Sequence, residues 1–170
     1  VAQAMTKTDK LELVVKKGTE LGASRFVLVD TARAQVHVDG ERADRKVDRL
    51  RRVAEDAARQ SLRAGVPEIA GPVSMTALVD EARAFAGVCV VGVVGATGPL
   101  SDVLAARREQ VGRDGVLIVV GPEGGLDDAE VRALVDAGGA LAVRLGAHVL
   151  RTETAALAAL AAAQVALGLL

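Results

Sequence analysis

The chain has 170 residues, 51% of them hydrophobic, with 21 Lys and Arg against 22 Asp and Glu for a net charge of −1. That length suits one domain with a sizeable core, and the charge balance excludes a uniformly basic nucleic-acid binder while leaving room for local patches. With no Trp or Tyr and only two Phe, the core must be built from Val, Leu and Ala, a composition suited to parallel strands covered by Ala-rich helices.

The polar start "VAQAMTKTDK" does not resemble a signal peptide, and Val1 falls in what reads as a strand or linker. Leu11, Val14, Val15 and Leu21 recur near a helical period over 8–21, with Asp9 as a possible cap and Gly22 as the stop. "RFVLVD" (25–30) reads as a strand. Residues 31–44 are polar and irregular, with "AQVHVDG" as a candidate edge strand and turn. An amphipathic helix is predicted over about 44–63, its polar surface carrying Arg45, Lys46, Arg49, Arg52, Arg59 and Arg63. "GVPEIAGP" (65–72) reads as a loop. There follow a helix (75–86), a strand (87–94), a glycine loop (95–99), a helix (100–110) and a strand (115–120). The loop "GPEGG", a helix (127–138), a strand (140–146), the loop "AHVLR" and a helix from Thr152 complete the chain.

This alternation predicts an α/β fold with a mainly parallel sheet flanked by helices. Cys89 lies in the apolar run "GVCVVGVVG" and reads as a small buried hydrophobe; one cysteine excludes a disulfide framework and suits a cytoplasmic protein. The apolar run 155–170 is interrupted by Gln164 and Gly168 and falls short of the ~20 residues of a membrane span, so it reads as a buried helix. His37 and His148 have no ligand spacing, and no metal is expected.

Three strands end near glycine, at Gly95, Gly121 and Gly146. Ligands of open parallel sheets bind beyond the carboxyl ends of the strands, which makes these loops the default site. "GPEGG" lacks the lysine and hydroxyl of a P-loop and does not match a dinucleotide fingerprint. Glu123 would repel a polyphosphate, so the ligand here should be neutral or cationic and held largely by backbone groups. Asp127 and Glu130 form a D-x-x-E capping box, so the stretch can also be read plainly as strand, turn and capped helix. In "LGAHVLRTETAALAAL" (145–160), Thr152 is a possible cap and Glu153 suits a helix N-terminus.

"GPEGG" at 121–125, "LG" at 145–146 and "LRTETA" at 150–155, with "DKLELVVKKGTELG" (9–22) and "ARQSLRAGVPEI" (58–69), resemble the ribosomal RNA small subunit methyltransferase E family. The resemblance covers nearly all of residues 1–170. It implies a SPOUT-type fold whose C-terminal chain forms a trefoil knot that binds S-adenosylmethionine. It also implies methylation of N3 of a uridine in 16S rRNA of the small ribosomal subunit, and a homodimer packed through the C-terminal helix. That family's N-terminal PUA-like RNA-binding domain is not found within these residues, so the chain resembles the catalytic domain alone. Leu126 departs from a common phenylalanine and His148 from an expected arginine or other polar residue.

Carried onto this sequence, the resemblance implies a cofactor site at Val120, Gly121, Pro122, Glu123, Gly124, Gly125, Leu145, Gly146, Val149, Leu150, Thr152 and Thr154. Arg151 is the candidate for stabilising the developing uridine anion. Glu153 or Glu123 would accept the N3 proton or orient the arginine. RNA is expected on Arg33, Arg52, Arg59, Gln60 and Arg63. The alternative is a non-catalytic RNA-binding or ribosome-assembly module.

Overall fold

A computed structural model describes residues 1–170. Strands β1 (Ala2–Ala4), β2 (Arg25–Val29), β3 (Glu68–Val73), β4 (Val88–Gly92), β5 (Val116–Val120) and β6 (Leu141–Val143) form one sheet in the order β3-β2-β1-β5-β4-β6. Every pairing is parallel. The helices are α1 (Thr8–Glu20), α2 (Gly40–Gln60), α3 (Met75–Ala84), α4 (Leu100–Ala106), α5 (Arg108–Asp114), α6 (Asp128–Arg132) and α7 (Thr152–Leu167). A π-helical turn, Ala133–Ala137, extends α6.

The strands bury both faces, as parallel strands must when helices cover each side. Phe26, Leu28, Val88, Val90, Ile118 and Val120 point to one face, where they meet Leu11 and Val14 of α1, Leu50 of α2, Leu104 of α4, Val111 of α5 and the alanines of α7. Their alternate neighbours Val27, Val29, Cys89, Val91, Leu117 and Val119 point to the other, against Leu78, Val79 and Ala82 of α3 and Leu134. Small alanines at 155, 156, 159 and 163 let α7 lie close to β5 and α1. No helix is long and apolar enough to cross a membrane.

The α/β alternation and parallel sheet match the sequence reading, and several boundaries differ. Of the strand or linker read at the start of the chain, the structure shows a strand, "AQA" (β1), whose central place comes from its pairing with β2 and β5. The stretch 65–72, read as a loop, contains most of the edge strand β3, whose pairing with β2 shifts register between Val27 and Val29. An edge position tolerates Pro72, which cannot donate to a ladder. "AQVHVDG" pairs with no strand, and α2 begins at Gly40, four residues earlier than its periodicity indicates. The helix expected over 100–110 breaks at Arg107 into α4 and α5. Asp9 lies inside α1 rather than capping it. Cys89 is buried, and burial pushes its thiol up to about 11, consistent with an inert core residue.

Candidate functional site

Chain order reverses between β1 and β5, so the segments leaving their carboxyl ends diverge and open a crevice. A cavity of about 880 Å³ occupies it. Three loops form its walls: Gly92–Gly95 after β4, Val120–Leu126 after β5, and Arg144–Thr152 between β6 and α7. Lys10 of α1, Arg33 of the β2–α2 segment, and Asp128, Val131 and Arg132 of α6 complete the rim.

Each loop is held by a different device. The β4 loop is stitched to the chain leaving β6: Val93 N donates to Val143 O at 3.0 Å, Arg144 N to Gly98 O at 2.8 Å, and Leu100 N to Arg144 O at 3.0 Å. A Cβ on Gly92 would sit 2.8 Å from Leu145 Cδ1, so glycine there lets Leu145 reach across β4. The β5 loop turns tightly enough that a Cβ on Gly121 would lie 2.9 Å from Leu126 N. Gly125 N donates to Pro122 O, and Arg33 Nη1 donates to Gly124 O at 3.1 Å, clamping the loop from outside. The predicted Asp127–Glu130 capping box is present, and Glu130 also accepts from Ala32 N at 2.7 Å.

The third loop is different. From Leu145 to Leu150 no backbone amide or carbonyl is hydrogen-bonded within the chain. Leu145, Gly146 and Leu150 are nevertheless half-buried beside the cavity. Ala147, His148 and Val149 between them are exposed, so the backbone groups of this run stay open to water or to a ligand. This run therefore presents unused donors and acceptors next to two leucine side chains, a surface suited to a flat heteroaromatic ring with polar edges.

Thr152 does not cap α7. The N-cap position is Arg151, without a side-chain cap bond. The Thr152 hydroxyl instead donates to Gly121 O at 2.6 Å and accepts from Gln3 Nε2 at 2.8 Å. This buried chain ties the central strand to the start of the β5 loop and to α7.

Glu123, read from the sequence as lying near a neutral or cationic ligand, is partnered within the chain. Its Oε1 accepts from Thr6 Oγ1 at 2.5 Å and from Lys10 Nζ at 2.7 Å. Burial alone would raise the Glu123 carboxyl, but the bonds from Lys10 and Thr6 outweigh it and push it down to about 2. Lys10 Nζ also lies 3.5 Å from Glu153 Oε2. The Lys10 ammonium is correspondingly raised, chiefly by Glu123.

Of the predicted cofactor residues, Val120, Gly121, Pro122, Glu123, Gly124, Gly125, Leu145, Gly146, Val149, Leu150 and Thr152 all line the cavity. Arg151 and Arg33 line it too; Thr154 and Glu153 do not. The exposed guanidiniums of Arg132, Arg144 and Arg151 form no ion pair, and with Arg33 they make the rim cationic. The residues expected to meet RNA on α2 are scattered. Arg63 donates to Thr19 O and Ala23 O, closing the C-terminal end of α1 at the opposite end of the sheet. Arg59 pairs with Asp56, Gln60 lines a shallow groove between α1 and α2, and Arg52 is exposed. Lys10, Thr6 and Gln3 were missed; Lys10 and Glu123 are 113 residues apart, with no local motif to join them. His37 bonds Asp30 at 2.6 Å, and no cluster of three His, Cys, Asp or Glu side chains forms.

The RNA methyltransferase domain family matches residues 1–164. Ribosomal RNA small subunit methyltransferase E of Mycobacterium tuberculosis is 44% identical over 166 residues, covering 95% of this chain and 61% of that protein. Its Bacillus subtilis namesake is 39% identical over 164 residues, covering 95% and 63%. The chain thus spans less than two thirds of the length of these relatives. The Neisseria gonorrhoeae ribosomal RNA small subunit methyltransferase E, solved bound to S-adenosyl methionine, superposes with a TM-score of 0.84 at 28% identity. That match covers 96% of this chain and 64% of the other. A SpoU methyltransferase from Streptomyces viridochromogenes, at 18% identity and a TM-score of 0.58 over 95% of this chain and 56% of its own, shares the fold alone. With this sheet order, this cavity and a family match running from β1 into α7, the chain belongs to the RNA methyltransferase domain family.

Proposed function

We propose that residues 1–170 are the catalytic domain of an S-adenosylmethionine-dependent methyltransferase that modifies N3 of a uridine in 16S rRNA of the small ribosomal subunit. The observation that carries this reading is the run of unpaired backbone groups from Leu145 to Leu150, facing glycine loops across one cavity. Relatives named for small-subunit rRNA methylation, and a close structural neighbour holding S-adenosyl methionine, support it.

The fit rests on the donor set. Leu145, Leu150 and the free amides and carbonyls between them suit adenine. Gly121, Gly124 and Gly125 offer backbone access to the polar end of the cofactor, with Val120, Pro122, Gly146 and Val149 in supporting positions and Thr154 off the cavity. Because Lys10 compensates Glu123, that end meets a nearly neutral wall, compatible with a ligand carrying a sulfonium, an ammonium and a carboxylate. When bound, S-adenosylmethionine supplies an electrophilic methyl group.

Transfer to N3 is an in-line displacement, in which placement of the two reactants contributes most. The uridine must lose its N3 proton, and Arg151, exposed and unpaired on the cavity wall, stabilises the anion that results. Neither Glu123 nor Glu153 is well suited to take that proton. The first is held at about 2 and already accepts two hydrogen bonds; the second lies off the cavity beside Lys10. In this reading both carboxylates position the site, and the proton leaves to solvent through the open rim. Arg33, Arg132, Arg144 and Arg151 contact RNA phosphates, with Arg52, Arg59 and Gln60 reached only by a longer RNA. Arg63 is engaged elsewhere.

We further propose that the chain after β6 forms the trefoil knot of SPOUT proteins. It crosses the carboxyl end of β4, bonded to the Gly98–Leu100 segment, before α7 starts beside Gly121. A homodimer through α7 is supported by the exposed Val165, Leu169 and Leu170 at its end. A cytoplasmic location fits a ribosomal substrate and a free buried thiol. The test is methyl transfer to intact small subunits and to free 16S rRNA, with the product nucleoside identified. Modified uridine formed by the native chain and lost in Arg151→Ala supports the proposal. RNA binding indifferent to S-adenosylmethionine, with no transfer, would point to a non-catalytic module.

A further inference from the structure

We propose that Lys10 is a positioning residue of the cofactor cavity, cross-linking the loop after β5 to the first turn of α7 through Glu123 and Glu153. Its ammonium lies 2.7 Å from Glu123 Oε1 and 3.5 Å from Glu153 Oε2. The two carboxylates come from the two segments whose separation defines the cavity, and α1 supplies the one cation between them. Glu153 Oε2 is buried and has no hydrogen-bond partner, so beside the N-terminal end of α7 the Lys10 ammonium is the charge that compensates it. Thr6, in the β1–α1 turn, adds a second donor to the same Glu123 oxygen. The charged groups facing Glu123 are Lys10 of α1, Glu153 of α7 and, across Gly124, Arg33. Without the ammonium, two carboxylates that now share a cation would repel each other, and both segments would lose a tether.

The ligand arm of the test rests on the proposed function; the exchange arm does not. Amide hydrogen exchange is followed in the unliganded protein at the hydrogen-bonded amides of the two segments, Gly125 within 121–126 and Ala155 within 151–155, for the native chain, Lys10→Met and Lys10→Arg. Lys10→Met should speed exchange in both segments by about tenfold, the equivalent of one charge-assisted hydrogen bond, while Lys10→Arg stays close to native. Calorimetric titration of native and variant chains with S-adenosylhomocysteine should then show a native Kd to whose pH dependence, from about pH 8 to about pH 5, Glu123 contributes nothing, because it stays ionised. In Lys10→Met the carboxyl returns toward its ordinary range, and the Kd should weaken progressively as pH falls. Unchanged exchange in both segments, or a pH profile parallel to native, overturns the proposal. If Lys10→Met does not fold, Glu153→Gln replaces it, and exchange should rise over 151–155 more than over 121–126; an equal rise overturns the cross-link. A native chain that binds no S-adenosylhomocysteine contradicts the proposed function and leaves the exchange arm decisive for Lys10.

Discussion

Replacing Thr152 by valine keeps the side-chain shape and removes the hydroxyl that joins Gln3 to Gly121. Thr152 is 4% exposed and Gln3 1%. The hydroxyl has one proton, which goes to Gly121 O, so it must accept from Gln3 and thereby orients that amide. Thr152→Val therefore deletes two hydrogen bonds worth ~1 kcal/mol each and leaves Gly121 O and one Gln3 proton without partners. The Gln3 amide keeps a longer bond to Ala4 O at 3.2 Å, which limits the penalty. The expected loss is about 2–4 kcal/mol, or roughly 4–16 °C in Tm for a chain of this size. Urea and thermal unfolding measure it. Thr152→Ser, which retains the hydroxyl, should lose clearly less. Gln3 Oε1 is already unpaired, so Gln3→Leu should be nearly neutral, and Thr152→Val should cost less in that background. Equal losses for the valine and serine variants, or no coupling between positions 3 and 152, would refute the reasoning.

Gly121→Ala forces a Cβ to within 2.9 Å of Leu126 N, a backbone contact that cannot give cheaply, so it should lower Tm in thermal unfolding and also weaken S-adenosylhomocysteine binding, read by calorimetry. Leu62 is 92% exposed with φ of 56°, so Leu62→Gly should stabilise the fold by a few tenths to about 1 kcal/mol, read in urea. The Glu123 carboxyl is depressed in the folded state, so its contribution is present above its ordinary pKa near 4.5 and is lost as pH falls toward about 2. Glu123→Gln should therefore flatten the acid limb of a stability–pH curve in that window, with little change in its shape above it.

Where a signal is local, the sequence is readable. The apolar runs of β4 and β5 are continuous because those strands are buried on both faces, and the D-x-x-E spacing that closes the α6 cap lies within four residues. Three loops ending in glycine were enough to place the cavity. What escaped depends on distant partners. "AQA" is too short and too polar to read as a central strand until β2 and β5 flank it. Pro72 argues against a strand except at an edge, and edge position is a property of the whole sheet. Thr152 has the chemistry of a cap, yet its hydroxyl goes to Gly121 and Gln3. Arg63 looks like a surface arginine in a charged helix, yet it satisfies carbonyls at the end of α1. Lys10 lies within the stretch 9–22 that carries the family resemblance, yet nothing local shows its role, since that comes from two carboxylates more than a hundred residues away.

Calorimetric titration of the folded chain with S-adenosylhomocysteine decides whether the crevice between β5, β4 and the start of α7 binds S-adenosylmethionine as proposed. Saturable binding at one site per chain is expected, with amide protection appearing over 145–150, where the backbone groups are free. A folded chain that gives no binding heat, or binding that leaves exchange over 145–150 unchanged, would contradict it.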